Sequence, residues 1–442
     1  MRFRGLLVAV VLLAALGVGL YFSNKEKAAE ASKPPSDTPP KILSLTEGDI
    51  TKIALKKKGA DETRLDKING KWQITAPKPY AADQDTSSQL VTSAASVSSD
   101  RVVEDKASNL SAYGLNSPNL EVDITGKGGK VSKLKIGDDT PTNSGAYAML
   151  EGDPRVFTVA SYVKTGIDKS VNDLRDKRLL TFDQEKLSRV ELIGKKQVSI
   201  EFGRDKDRWQ IVKPKSLRAD GLQVDEMLRK LKDAKMDLTL SDEDSKKAAA
   251  AFASGMPVAT VKLTDPSGPQ QIEVRKNKDD YYAKSSVVPG VFKTTAELGM
   301  GVDKGLDDFR NKKLFDFGFN DPNKIEMHAN GKFFGFQKGG DDWFSNGKKM
   351  DSVSLQSFLD KLRDLSASKF IDTGSLGTPT IDITIVSNSG KLTEKLLIAR
   401  QGSDYVAQRE NEPALYGLDA KTVDGLSQAA SDVKPAPPAA KK

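Results

Sequence analysis

Three tryptophans, Trp72, Trp209 and Trp343, stand 137 and 134 residues apart in a 442-residue chain that holds no others. Other features keep the same step. An apolar, β-like stretch precedes each one: residues 50–55 (ITKIAL), 187–192 (LSRVEL) and 324–327 (KIEM). Pro77 and Pro214 each follow their tryptophan by five residues. Asp83 and Asp220 follow by eleven, Asp351 by eight. A chain patterned in this way is expected to fold as successive copies of one module.

Each aspartate opens a segment with one apolar face. Val224, Met227, Leu228, Leu231 and Ala234 share the spacing of Leu355, Phe358, Leu359, Leu362 and Leu365. Ser87, Leu90, Val91, Ala94 and Val97 form a weaker version. This spacing predicts a helix laid on a sheet, with the aspartate as N-cap. Beyond each helix the pattern alternates. Pro118 precedes LEVDI, Pro257 precedes ATVKL and Pro379 precedes IDITI, and a glycine-containing turn and a further strand follow each, as in a hairpin. A tyrosine-bearing strand comes next, at Tyr147, Tyr281 or Tyr405, then Val156-Phe157, Val291-Phe292 or Leu415-Tyr416. Residues 174–182 (LRDKRLLTF) and 309–317 (FRNKKLFDF) are near copies.

The expected fold is therefore α+β: three tandem β-rich units, 41–181, 182–317 and 318–433, each a sheet with a packed amphipathic helix. Units of this size are domains, not solenoid turns, whose periods run about 20–50 residues. Residues 434–442 (KPAPPAAKK) read as a frayed tail.

The N-terminus supplies an address. Arg2 and Arg4 precede an uncharged apolar run over residues 5–22. Eighteen helical residues span about 27 Å, enough for a thin bilayer. Residues 1–22 are expected to be a transmembrane anchor, with a cleaved signal peptide as the alternative. Both readings export the body, and the arginines keep the N-terminus on the cytoplasmic side. Residues 23–40, polar and proline-rich, read as a tether.

The run KWQI, Pro77 and AAD (residues 71–83), then DRVVED (100–105) and AYGLNSPNLEVDI (112–124), resembles the domain-of-unknown-function 4340 family of bacterial membrane-anchored proteins. The resemblance is strongest in the first unit and extends over most of residues 47–430. The second unit has FASGMP (252–257) in place of AYGLNSP, and the third lacks a counterpart of Pro77. Members are often encoded beside gliding-motility-type ABC transporter genes, so the resemblance implies an envelope accessory protein. It supplies no catalytic residues.

Composition narrows the chemistry. Cysteine is absent and His328 is the one histidine, so thiol nucleophiles, zinc fingers and multi-histidine metal sites are excluded. The tryptophans, recurring in step with the apolar pattern, are expected in the cores. His328 is expected to be a lone surface histidine. Ser241 to Asp244 reads as a helix cap ahead of KKAAAAFA, not a calcium loop. The clusters Gly126 to Gly129 and Gly299 to Gly301 read as turns. No catalytic, cofactor or metal site is expected.

Arg175, Lys177 and Arg178, with their counterparts Arg310, Lys312 and Lys313, are the candidate partner-binding residues. They would grip an anionic partner, or simply serve as a solvated helix end. Nucleic acid is not an expected partner despite a pI near 9.0, because export removes the chain from it. The expected function is a non-catalytic scaffold or accessory subunit of an envelope ABC-type transport or motility system. It would be single-pass in the inner membrane with its body periplasmic, its partners being the membrane and an envelope or transporter protein. The alternative is an extracytoplasmic protein that binds polysaccharide or peptide in grooves between repeats.

Overall fold

The computed structural model describes residues 40–437 apart from 196–197, 207, 239–241 and 319–321. The apolar run and nearly all of the tether lie outside the described residues, among which no helix is long and apolar enough to cross a membrane. The described residues form four antiparallel sheets and nine α-helices.

Edge to edge, the first large sheet runs Tyr80–Ala81, Lys71–Ala76, Thr63–Ile68, Ile50–Lys57, Leu120–Gly126, Val131–Asp139, Gly145–Leu150, Val156–Ala160 and Arg101–Glu104. The second runs Leu217–Arg218, Arg208–Lys213, Ser199–Asp205, Arg189–Gly194, Met256–Asp265, Gly268–Asn277, Asp280–Ser285 and Val291–Thr294. The third runs Lys348–Lys349, Asp342–Ser345, Lys332–Gly339, Lys324–Ala329, Pro379–Ser387, Leu392–Gln401, Asp404–Arg409, Leu415–Leu418 and Lys369–Ile371. One strand order serves all three. The second lacks the ninth strand among the described residues. A small fourth sheet pairs Lys41–Ser44 with Ser96–Ser98. The chain divides into two compact units, one ending at Lys177 and one beginning at Arg178. The second unit therefore holds two of the large sheets.

Helices cover one face of each sheet because only that face is apolar. In the second, Val190, Leu192, Phe202, Ile211 and Val261 pack with Val224, Met227, Leu228 and Leu231 of the Gly221–Asp233 helix. In the third, Ile325, Met327, Phe336 and Ile383 meet Leu355, Phe358, Leu359 and Leu362 of the Ser352–Asp364 helix. Leu90, Val91 and Ala94 of the Gln84–Ala95 helix serve the first. All three tryptophans are buried in these cores. The opposite strand positions carry paired charges: Lys56 with Asp123 (2.6 Å) and Glu121 (3.0 Å), and Glu201 with Arg189 and Lys213 (both 2.8 Å). The hydrogen bond to Asp123, then that to Glu121, holds the Lys56 ammonium well above the usual lysine range.

The three aspartates cap their helices as the spacing requires. Asp83 accepts from Thr86 N–H (2.8 Å), Asp220 from Leu222 and Gln223 N–H (3.1 and 3.3 Å), and Asp351 from Ser354 N–H (2.9 Å). The shorter offset of Asp351 follows from a two-residue Asn346-Gly347 turn, both residues at positive φ, between Asp342–Ser345 and Lys348–Lys349.

Several details differ from the sequence pattern. Val97, Ala234 and Leu365 are buried, but each lies just past its helix. Gly299 and Gly301 sit inside the helix Ala296–Val302 and not in a turn. A Cβ on Gly299 would stand 2.1 Å from the Tyr281 ring, so glycine here permits close helix–sheet approach. Division was expected after Thr181 and Phe317. In fact Leu179, Leu180 and Phe182 bury in the second core, and Leu314, Phe315 and Phe317 in the third. The core partition thus falls a few residues earlier. The tail also starts later than Lys434, because Lys434 and Ala436 satisfy strand-edge backbone groups at Asp351 and Lys349 (2.8 and 2.9 Å). The Asp242–Ser254 helix follows the expected cap, while Ser241 lies outside the described residues.

Two outcomes are expected. Tryptophan emission of the folded body is blue-shifted and resists acrylamide quenching, whereas an exposed indole would emit red and quench freely. Gly299→Ala lowers stability by about 1–3 kcal/mol in urea unfolding through overpacking against Tyr281, although alanine is the better helix former.

Candidate functional site

The segments bearing the six candidate cations have a shared backbone role. Each lies antiparallel to the residue preceding a helix N-cap: Ala82 bridges Arg175, and Ala219 bridges Arg310. The N-cap N–H then donates to the preceding carbonyl, Asp83 to Leu174 (2.8 Å) and Asp220 to Phe309 (2.7 Å). In the third sheet Met350 bridges Pro435, and Asp351 N–H donates to Lys434. The C-terminal segment thus takes the place that the cationic segments hold elsewhere.

Their side chains go separate ways. Arg175 stacks on Tyr80 with its guanidinium 4.2 Å from the ring centroid. Lys177 is half-buried and Arg178 is exposed. Arg310 is buried, 3.7 Å from the Phe370 centroid, and pairs with Asp307 and Asp372 at 3.1 Å. Lys313 pairs with Asp364 (3.3 Å), and Lys312 is exposed. Arg310 and Lys313 are therefore each matched by their own carboxylates and do not merge into one basic patch.

What the second unit does assemble is a mixed-charge cluster between its two large sheets. Asp316 lies in the segment after the second sheet. One of its oxygens accepts from Arg218, on the second sheet's edge, and the other from both terminal nitrogens of Arg409 (3.1 Å each), on the third. Arg409 also donates to Glu394 (3.1 Å) and pairs with Glu412 (3.2 Å), which stands 3.7 Å from Arg218. Glu394 Oε1 accepts the Asp316 N–H at 2.6 Å. Tyr416 Oη donates to Glu412 (3.1 Å), and burial pushes its phenol above the usual tyrosine range. Lys215 adds a second cation to Asp372 at 3.1 Å, and its hydrogen bond holds that carboxyl below the usual range. Such buried ion pairs gain little net stability, but removing one partner is costly because it leaves an uncompensated charge.

Beside the cluster is a polar cleft of about 470 Å³, lined by Arg208, Trp209, Gln210, Arg218, Asp225 and Glu412 among others. Asp225 accepts from the Trp209 indole N–H (2.9 Å). His328 is exposed as expected, with Nδ1 3.1 Å from Asp382 Oδ1 and its ring against Phe333. Among the described residues, no group of three or more His, Asp or Glu side chains is placed to hold a metal.

The family model described as Domain of unknown function (DUF4340) matches twice, over residues 72–210 and 209–383, together well over half the chain. The chain belongs to the DUF4340 family. The two matches open on Trp72 and Trp209, equivalent places in the first two large sheets, so the DUF4340 unit straddles the sheet boundaries. No curated protein and no solved structure matches the chain.

The charge cluster was not picked out from the sequence, yet it left a signal. Within the near-identical LRDKRLLTF and FRNKKLFDF, Thr181 becomes Asp316. In strand register Gln270 corresponds to Glu394 and Ser285 to Arg409, since both pairs face equivalent partners. Neutral positions in one sheet become charged together in the next.

Arg409→Met should destabilise the second unit by about 3–5 kcal/mol, because three buried or half-buried carboxylates lose their shared partner. Lys312→Ala should stay within about 0.5 kcal/mol. Urea unfolding of the two variants checks both.

Proposed function

We propose that the chain is three tandem copies of one sheet-and-helix module acting as a non-catalytic scaffold outside the membrane. The observation carrying this reading is the single strand order shared by the three large sheets, with the N-cap bridge repeated in each. The copies are best placed at 41–177, 178–312 and 313–437. Similar faces repeated along one chain suit protein contacts, and outward strand positions such as Lys56 and Glu201 carry paired charges. The N-terminal apolar run would tether the chain to the inner membrane, its body periplasmic. The family resemblance points to an ABC-type transport or motility system as the partner. Of the six candidate cations, Lys312 is exposed and suits contact with an anionic face.

A second reading, ligand capture between repeats, has the polar cleft in its favour. Trp209 lines that cleft, so a bound saccharide or peptide would change its fluorescence.

Purification of the full-length chain in mild detergent tests the scaffold. The chain should stay with membranes after carbonate washing, be released by deletion of residues 1–22, and bring down a membrane transport protein. Recovery as a lone monomer under several gentle conditions would contradict it.

A further inference from the structure

We propose that the charge cluster between the second and third sheets is a proton-operated joint, stiff when Glu394 carries a proton and looser when it is ionised. The inference stands on the geometry of the cluster and does not depend on what the chain binds.

The backbone connection is built twice. At the entry to the second sheet, Thr181 N–H donates to Gln270 Oε1 (2.9 Å), and Gln270 Nε2 donates back to the Thr181 hydroxyl (3.3 Å). At the entry to the third, Asp316 N–H donates to Glu394 Oε1 (2.6 Å). An amide suffices for this contact. Glutamate adds a titratable charge that the contact itself does not need.

The charges do not balance with that carboxylate ionised. Facing Glu394 are Asp316 from the boundary segment, Arg409 from the adjacent strand and Arg218 from the second sheet, with Glu412 sharing both arginines. Three carboxylates then meet two guanidiniums. Protonated Glu394 leaves two against two. Its Oε2 is buried and has no hydrogen-bond partner among the described residues, and the residue is only 6% exposed. An ionised oxygen in that place lacks the donors it requires.

Burial pushes the Glu394 carboxyl above the usual glutamate range, and the neighbouring Asp316 charge adds to the rise against the opposing pull of Arg409 and Arg218. For an acid raised in the closed state, closure takes up a proton. The joint therefore tightens as pH falls through that raised value and loosens as pH rises above it. Each pH unit between the closed-state and open-state values changes the closed-to-open ratio about tenfold.

The absence of cysteine makes the test direct. Leu222 and Val353 are 80% and 76% exposed, each the second residue of its helix, one on each sheet. With Leu222→Cys and Val353→Cys spin-labelled in the otherwise intact chain, electron–electron distances are recorded from about pH 8 to about pH 5. The broad, open component should shrink by up to about tenfold per pH unit over the titration. Glu394→Gln, which installs the residue of the second sheet, should stay narrow throughout. A distribution independent of pH with Glu394 in place, or one that still responds in Glu394→Gln, would overturn the proposal. If Glu394→Gln does not fold, the unsubstituted titration decides alone, since a distance spread constant over that range is itself the contrary result.

Discussion

The constraint on which the fold depends is a backbone hydrogen bond at the start of each main helix. The N-cap residues Asp83, Asp220 and Asp351 donate their N–H to Leu174, Phe309 and Lys434. These bonds tie the beginning of each helix to a segment 91, 89 and 83 residues further on in the chain. The aspartate side chain meanwhile turns back to cap its own helix, so one residue fixes both the helix's start and its attachment. The apolar stripe can then lie flat on the sheet. Without that tie, the helix would have its stripe but no fixed register on the strands.

The boundary segments follow from the same geometry. Leu174 belongs to the first core and Phe309 to the second, while Leu179 and Leu314 bury in the second and third. Of the intervening residues, Arg175 and Arg310 form the bridge, and Arg310 and Lys313 pair with carboxylates. Arg310 shows why a cation near a boundary need not be a surface feature: it lies over Phe370 with two carboxylates in reach. Between the second and third sheets, Arg218 and Arg409 share the carboxylates of Asp316, Glu394 and Glu412.

Much of this was legible in the sequence, for a physical reason. Trp72, Trp209 and Trp343 are buried beside the helix stripes, and burial is what keeps a large apolar residue in phase with the pattern around it. The capping aspartates were legible because a cap has a fixed chemistry at a fixed place. The glycines at 299 and 301 read as a turn because glycine serves a turn and a close packing contact alike; only the Tyr281 ring against Gly299 and the Lys230 side chain against Gly301 separate the two. The core boundaries fall earlier than the pattern suggests because Leu179, Leu180, Leu314, Phe315 and Phe317 lie in apolar runs with no turn signal just before them. Each of these residues enters the next core. The charge cluster was missed because its members come from separate strands and turns, and only strand register brings them together.

Hydrogen exchange at the amides of Asp83, Asp220 and Asp351 tests the account most directly. All three should be protected as strongly as the central strands, opening only with their own sheet. Exchange at the rate of an exposed loop, at any of the three, would show that the bridge does not hold the helix and would contradict the repeated module.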